Sequence, residues 1–375
     1  MLQRQLLQMR FHLVALPHTQ VTKDFFTCAY TEKVYGFANM MTSLGHEVFL
    51  YGSGPGTDAN VTDYIQCLPE QDRLEAVGDK HYTSASFDNT LPHWQIFNRN
   101  AIQTIARHIE QKDFICLIGG LAQKPIADAF PDHMSVEWGI GYSGTFAKYK
   151  VFESNTWRAA VSAQFRNASQ VDINFYDQVI NGYYNVENFP LQTEKQDYYL
   201  YMGRMTQRKG VDIASQACEA AGVKLIMAGS GDYIPPYGQY IGEVKAEDRA
   251  ALFGGAIATF TPTIYQEPFA NVHIQSLASG TPVISTDHGI YTETIRNGFN
   301  GFRCNTLAQF VEATELVKRL DPRKIALDAY SKYSTDIIRY HYDAYFKRLL
   351  KLWDKGWYDL SSDNSQEIVI KKLPK

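Results

Sequence analysis

The sequence predicts an α/β protein of two Rossmann-like domains that face one another across a cleft. Three observations carry that expectation. A chain of 375 residues is too long for one ordinary core and suits two domains of typical size. Each half opens on a strand, a polar loop, a helix and a second apolar strand, the order of a parallel βαβ unit. Hydrophobic residues at 45% and charged residues at 20% describe a globular chain able to bury two such sheets.

Composition also removes several function classes. A net charge of −4 gives no global basic field, so a nucleic-acid partner would need a local basic face. The five cysteines, Cys28, Cys67, Cys116, Cys218 and Cys304, are scattered and form no C-x-x-C pair. They read as reduced thiols of a cytoplasmic protein, not as a disulfide frame or a zinc site. No apolar run is long enough to span a bilayer, and the start, MLQRQLLQMR, lacks a signal-peptide core. The expected location is therefore cytoplasmic.

In the first half, RFHLVALP (residues 10–17) is a strand ended by proline. A loop follows, then a helix from about Thr31 to Leu44, a stop at Gly45 and the strand HEVFLYG. Ligands in open parallel sheets sit beyond the carboxyl ends of strands, so the first loop belongs to a candidate site. Lys23, Thr27, Tyr30, Thr31 and Lys33 are its candidate contacts, with plain solvation the alternative for the lysines. The loop has no G-x-G-x-x-G, which speaks against a dehydrogenase. Residues 53–92, rich in Gly, Asp, Thr and Pro, give only a strand near Tyr64 to Leu68. Ile102, Ile105, Ala106 and Ile109 recur at helical spacing. FICLIGG is a buried strand, LAQKPIADAF a helix and MSVEWG another strand, with Glu137 near its end. That carboxylate either faces the cleft or is salt-bridged in place. YDQVINGYYNVENFP adds a strand and an exit loop, which puts the domain boundary at residues 190/191.

In the second half, DYYLYMGRMTQRKG is a strand and a turn that carries Arg204 and, five residues on, Lys209-Gly210. Two cations in one turn suit an anionic ligand, and two solvated turn cations are the alternative. VKLIMAGSGD is a strand ending at Gly229 and Gly231, YGQYIGEV an edge strand with Gly242 and Val244, and KAEDRAALFGGA a helix. After the strand IATFTP, Glu267-Pro268 is expected to open a helix whose first turn carries Phe269, Ala270 and Asn271. It closes at Ser279-Gly280 before the strand PVIST. The unpaired N–H groups of such a start suit a polar, anionic ligand. From Asp321 the chain is helical, and Tyr340, Tyr342, Tyr345, Phe346, Leu349, Leu350 and Trp353 form a stripe that suits core packing.

Taken in order from Tyr199 to about Phe302, these segments resemble the GT-B glycosyltransferases, specifically their retaining family 4 (glycosyl transferases group 1). The resemblance rests on GR followed by KG, Gly229-Ser230-Gly231, Glu267 with SLASGTPVIST, and ETIRNGFNG. In the first half, CAYT-x-K at Cys28 to Lys33 and GIGYSGTF with FES-x-x-W resemble a sub-group found in bacteria and their phages. One departure is plain. The family's second glutamate, eight positions after the first, is Gln275 here.

The resemblance implies a first domain, residues 1–190 with a crossover helix of about 340–375, that carries the acceptor surface. Residues 191–339 would hold a nucleotide diphosphate sugar, taken to be a UDP-sugar. A hexosyl or pentosyl group would pass to an acceptor hydroxyl with retention. Arg204 and Lys209 would neutralise the diphosphate, and Glu267 and Glu137 would hold the donor sugar. Gly229, Gly231, Gly242, Val244, Phe269, Ala270 and Asn271 would line the donor pocket, with Gln275 on the ribose. No metal or other cofactor is expected if cations and helix amides bear the charge, and there is no Asp-x-Asp loop. The acceptor is a hydroxymethylated base of phage DNA or a hydroxyl of a surface or lipid-linked glycan. DNA would require a basic surface drawn from Lys23, Lys33, Arg99, Lys148, Lys150, Arg158 and Arg166. A non-catalytic sugar-nucleotide binding protein is the alternative from another class.

Overall fold

In the computed structural model, which describes residues 7–78, 81–82, 85–164 and 174–354, the first domain is wound around β1 (Arg10–Val14). Every β1 side chain from Phe11 onward is buried. A strand covered by helices on both faces reads as nearly unbroken apolar sequence, as this one does. Its polar member, His12, is satisfied inside the core, with Nδ1 2.8 Å from the Tyr51 hydroxyl and Nε2 3.0 Å from the Asp113 carboxylate.

The domain continues through α1 (Ala29–Ser43), β2 (Glu47–Ser53), β3 (Asp63–Leu68), α2 (Glu70–Val77) and α3 (Pro92–His108). It then runs through β4 (Phe114–Leu117), α4 (Lys124–Asp128), β5 (Met134–Ile140), β6 (Tyr149–Phe152), α5 (Asn155–Gln164) and β7 (Gln178–Val179). All neighbouring strands pair in parallel, in the order β3-β2-β1-β4-β5-β6-β7. Residues 70–77, to which the sequence assigns no element, are helical. Their only buried side chain is Arg73, so no apolar stripe announces the helix.

The second domain runs through β8 (Tyr199–Met202), α6 (Val211–Ala221), β9 (Leu225–Ala228), β10 (Gln239–Tyr240), α7 (Ala246–Gly255) and β11 (Thr259–Thr261). It ends through α8 (Asn271–Ala278), β12 (Val283–Thr286), α9 (Tyr291–Thr294), β13 (Gly301–Cys304), α10 (Leu307–Leu316) and α11 (Pro322–Tyr333). Its strand order is β10-β9-β8-β11-β12-β13, again parallel throughout. Local signals explain the boundaries. Thr306 and Gln309 form a capping box on α10, and Gly222 ends α6 in the left-handed region. The helix expected to open at Glu267-Pro268 begins later, at Asn271, because Ala270 turns the chain to φ 66° just before it.

A last helix, α12 (Thr335–Asp354), returns to the first domain. Tyr342, Tyr345, Phe346 and Leu349 are buried there among Phe11, Phe37, Phe114 and Trp138, with the Phe346 and Phe11 rings 4.7 Å apart. Burying each such side chain is worth about 2–3 kcal/mol, so the crossover is an integral part of the first core. The helix is continuous from Thr335, five residues before the expected position of 340. Residues 355–375 lie outside the described residues.

Both sheets reverse their winding direction between the first strand and the fourth, at β1/β4 and at β8/β11. In open α/β sheets that reversal opens a crevice beyond the carboxyl ends of the strands. The two crevices face each other. The loops that follow β1, β8 and β11 therefore meet in one cleft.

Candidate active site

A cavity of about 680 Å³ fills that cleft, lined from both domains. Its second-domain wall starts with the turn after β8. Gly210 stands at φ 74°, and a Cβ there would lie 2.0 Å from the Pro262 carbonyl oxygen, so only glycine lets this turn pack against the end of β11. The close packing brings Lys209 to Glu267. Their Nζ and Oε1 atoms are 2.5 Å apart, and the carboxylate also accepts from the Thr263 hydroxyl at 3.0 Å and the Tyr265 hydroxyl at 3.2 Å. Burial alone would lower the Lys209 ammonium, but Glu267 and then Tyr265 outweigh it and hold the group above the usual lysine range. Arg204 lines the same wall and is exposed.

Beyond Glu267 the chain offers main-chain donors. No protein acceptor among the described residues takes the N–H of Phe269 or Ala270. The turn is held from behind by His273, whose Nδ1 lies 2.6 Å from the Ala270 carbonyl oxygen. Gln275, one turn on, is buried and lines the cavity, and its side-chain amide has no protein partner among the described residues. Gly229 and Val244 line the cavity too, whereas Gly231 and Gly242 shape it from behind. The Gly229 N–H donates to the Gly242 carbonyl at 2.9 Å. A Cβ on Gly231 would fall 2.8 Å from the Met205 carbonyl oxygen.

The first-domain wall departs further from expectation. Lys33 does line the cavity, but as a buried ion pair, with Nζ 2.6 Å from Glu153 Oε2 and 3.3 Å from the Gly139 carbonyl. Burial pushes the Glu153 carboxyl up and the Lys33 ammonium opposes that rise. Thr31 is buried against Thr19, with their hydroxyl oxygens 2.7 Å apart, and points away from the cavity lining. Lys23 is exposed on a separate groove along α1.

Glu137 is corrected most sharply. It was expected at the donor sugar, yet it is fully buried and absent from the cavity lining. Its carboxylate accepts from the N–H groups of Phe146 and Ala147, both at 2.8 Å, and from the Tyr142 hydroxyl at 3.1 Å. It is the anchor of the loop between β5 and β6. Three acceptor bonds turn its carboxylate to that loop and away from the cavity lining.

Tyr30 and Thr27 of the first loop line the cavity, and sequence reasoning missed His18, Glu153, Arg249 and Tyr265, which line it too. Burial, with smaller effects of His93 and Arg73, pushes the His18 ring down to about 4, so it is neutral at pH 7. The signal for Glu153 was present. A lysine buried among Val34 and Phe37 requires a carboxylate, and Glu153 directly follows the wholly buried strand β6.

Contacts across the cleft tie the two walls. Glu293 accepts from the N–H groups of Asn155 at 3.1 Å and Thr156 at 2.7 Å, and the Ser154 hydroxyl donates to the Pro268 carbonyl at 2.7 Å. The Asn271 amide reaches Glu32 at 3.5 Å.

Residues 186–332 match the family model Glycosyl transferases group 1. Over 118 residues the chain is 30% identical to an uncharacterized glycosyltransferase of Methanocaldococcus jannaschii, covering 27% of this chain and 30% of that protein. The matched stretch thus spans about three tenths of the length of the curated relatives. Among solved structures, AviGT4, a glycosyltransferase involved in avilamycin A biosynthesis, superposes with a TM-score of 0.66 at 18% identity, over 91% of this chain and 98% of that one. The fold is GT-B. HepE of Anabaena, in complex with UDP-glucose, superposes on this GT-B chain with a TM-score of 0.59 at 14% identity, over 92% of this chain and 100% of its own.

Of the seven candidate cations for a DNA-binding surface, the six described ones do not form one exposed row. Lys33 and Lys150 are buried in ion pairs with Glu153 and Asp177. Lys148 precedes β6, at the end of the sheet away from the cleft, where it stacks on Tyr149 and Tyr176. Arg99 is exposed within α3, Arg158 bonds Asn155, Lys23 borders the α1 groove, and Arg166 lies outside the described residues. Among the described residues no three His, Cys, Asp or Glu side chains gather as metal ligands, and no helix is long and apolar enough to cross a membrane.

Proposed function

We propose that this chain is a retaining glycosyltransferase of family 4 that moves a hexosyl or pentosyl group from a UDP-sugar to an acceptor hydroxyl. The observation that carries the reading is the Lys209–Glu267 pair beside Arg204, set at the sheet reversal of the domain that matches the group 1 family. The UDP-glucose complex of HepE, a chain of the same fold, supports the choice of nucleotide.

The chemistry follows from the charges. Bond cleavage at the anomeric carbon leaves the electron pair on the diphosphate, whose growing negative charge meets Arg204 and Lys209. Glu267, released from Lys209, accepts hydrogen bonds from hydroxyls of the donor sugar, and the N–H groups of Phe269 and Ala270 face the sugar or its phosphate. The acceptor hydroxyl attacks from the face the diphosphate leaves, and its proton passes to a departing phosphate oxygen. Gln275 takes a ribose hydroxyl through its amide oxygen. In this reading the cations and amides bear the charge that a metal would otherwise carry.

The acceptor we favour is a glycan hydroxyl, of a surface polysaccharide or a lipid-linked chain. DNA would need a continuous row of phosphate-binding cations. The dispersal of those lysines and arginines speaks for the glycan. A donor panel with mass spectrometry of products, offering simple glycans and hydroxymethylcytosine DNA as acceptors, tests the whole reading. A glycan product from a UDP-sugar is expected. A product on DNA would overturn the acceptor, and donor hydrolysis without transfer would favour a sugar-nucleotide binding protein.

A further inference from the structure

The Lys33–Glu153 pair has no part in the chemistry above, yet it sits in the cavity wall. A buried ion pair is no more stabilising than well-packed apolar side chains of the same size, so fold stability does not explain it. Its hydrogen-bond inventory is incomplete. Lys33 Nζ has three protons and gives two of them, to Glu153 Oε2 at 2.6 Å and to the Gly139 carbonyl at 3.3 Å, while its charge lies 4.8 Å from the centre of the Tyr30 ring. Among the described residues the third proton has no acceptor and Glu153 Oε1 has no donor. An open donor thus stands beside an open acceptor.

A hydroxyl group both donates and accepts, so this arrangement fits one sugar hydroxyl or two adjacent ones. Gly141 keeps the approach clear. A Cβ at that position would lie 3.3 Å from Glu153 Oε2, 3.3 Å from the Tyr30 hydroxyl and 3.5 Å from Pro268 Cβ. The pair therefore faces, across the width of one missing side chain, the loop that carries Glu267. We propose that Lys33 and Glu153 are specificity-determining residues that clamp a hydroxyl of the transferred sugar from the first domain, opposite Glu267. This rests on the glycosyltransferase reading and goes beyond it by assigning sugar choice to a pair from the other domain.

The test compares wild-type protein with Glu153→Gln, Lys33→Met and the double variant Lys33→Met/Glu153→Leu. Calorimetry with UDP alone reports on the nucleotide site. Turnover is measured with the UDP-sugar that the donor panel identifies and with its monodeoxy analogues. UDP affinity is expected to stay within about twofold of wild type in all three variants, since the pair lies on the opposite wall. For the full donor, kcat/KM is expected to fall about ten- to hundredfold in Glu153→Gln, the scale of a polar group left unpaired in a desolvated site. At one ring position, removing the hydroxyl costs wild type the same factor and costs Glu153→Gln nothing further. The apolar double variant keeps the test independent of folding, because it removes both charges together. Unchanged kcat/KM, additive losses at every ring position, or a loss that follows the KM of the acceptor would overturn the proposal while UDP still binds. Failure of UDP to bind wild-type protein would overturn the glycosyltransferase reading, and this proposal with it.

Discussion

On the second-domain wall the charges come from loops after two adjacent strands, β8 and β11, and one of them, Arg204, is exposed. On the first-domain wall they come from the second turn of α1 and the end of β6, 120 residues apart, and both are buried. The Lys209–Glu267 pair spans 58 residues and shares its carboxylate with two hydroxyls that can follow it or release it. The Lys33–Glu153 pair is fixed against a carbonyl and a ring. In the proposed reading the difference separates two jobs: one wall would meet charge that grows during the reaction, and the other would present a preset pattern to neutral hydroxyls.

The largest effect that would break this division lies on the second wall. Arg204→Ala and Lys209→Ala are expected to lower kcat by about 10²–10³ each, the loss typical of removing one transition-state charge contact. Their melting temperatures should stay near wild type. Near-normal turnover in both variants would remove the clamp.

Acid sharpens the comparison through one buried histidine in each wall, His18 at the cavity lining and His273 behind it. Burial pushes both His18 and His273 down to about 4 from 6.5. The unfolded chain then binds more protons between those values, so each ring's contribution is full above pH 6.5 and is lost as pH falls toward 4. The loss reaches up to about 3 kcal/mol per ring. Denaturant titrations at pH 7 and pH 4.5 should show a shallower decline in His18→Gln and His273→Gln than in wild type. Parallel declines would place both rings in contact with water.

Glu137→Ala is expected to cost about 1–3 kcal/mol of stability, because two buried N–H groups lose their acceptor. Denaturant unfolding measures it. A large loss of UDP affinity without a loss of stability would return Glu137 to the cleft.

The smallest effect concerns Gln275. Gln275→Glu is expected to change UDP affinity by about tenfold or less, and Gln275→Ala to weaken every donor that shares the nucleotide equally. An alanine variant with unchanged UDP affinity in calorimetry would take this position off the ribose.

How much of this was legible follows from how far apart the partners stand. The second wall is written locally: Arg204, Lys209, Glu267 and Gln275 lie in short segments whose order alone brings them together. Parallel strands, glycine stops and the α12 stripe were equally plain, since each depends on spacing within one element. Glu137 was misplaced because its partners, Phe146 and Ala147, arrive on a loop that curls back under the strand end. A strand-end carboxylate looks the same whether it faces a cleft or a returning loop. Thr31 failed similarly, its hydroxyl being taken by Thr19 of the preceding loop. The start of α8 was set four residues early, because proline and an acid imitate a helix start while Ala270 at positive φ has no signature in sequence.

The most direct measurement is a crystal structure of the protein with UDP. The account predicts that the diphosphate lies between Arg204 and Lys209, that Lys209 Nζ leaves Glu267 for a phosphate oxygen, and that the Glu267 carboxylate is freed toward the first-domain wall. A diphosphate bound elsewhere, with the Lys209–Glu267 contact kept at 2.5 Å, would contradict it.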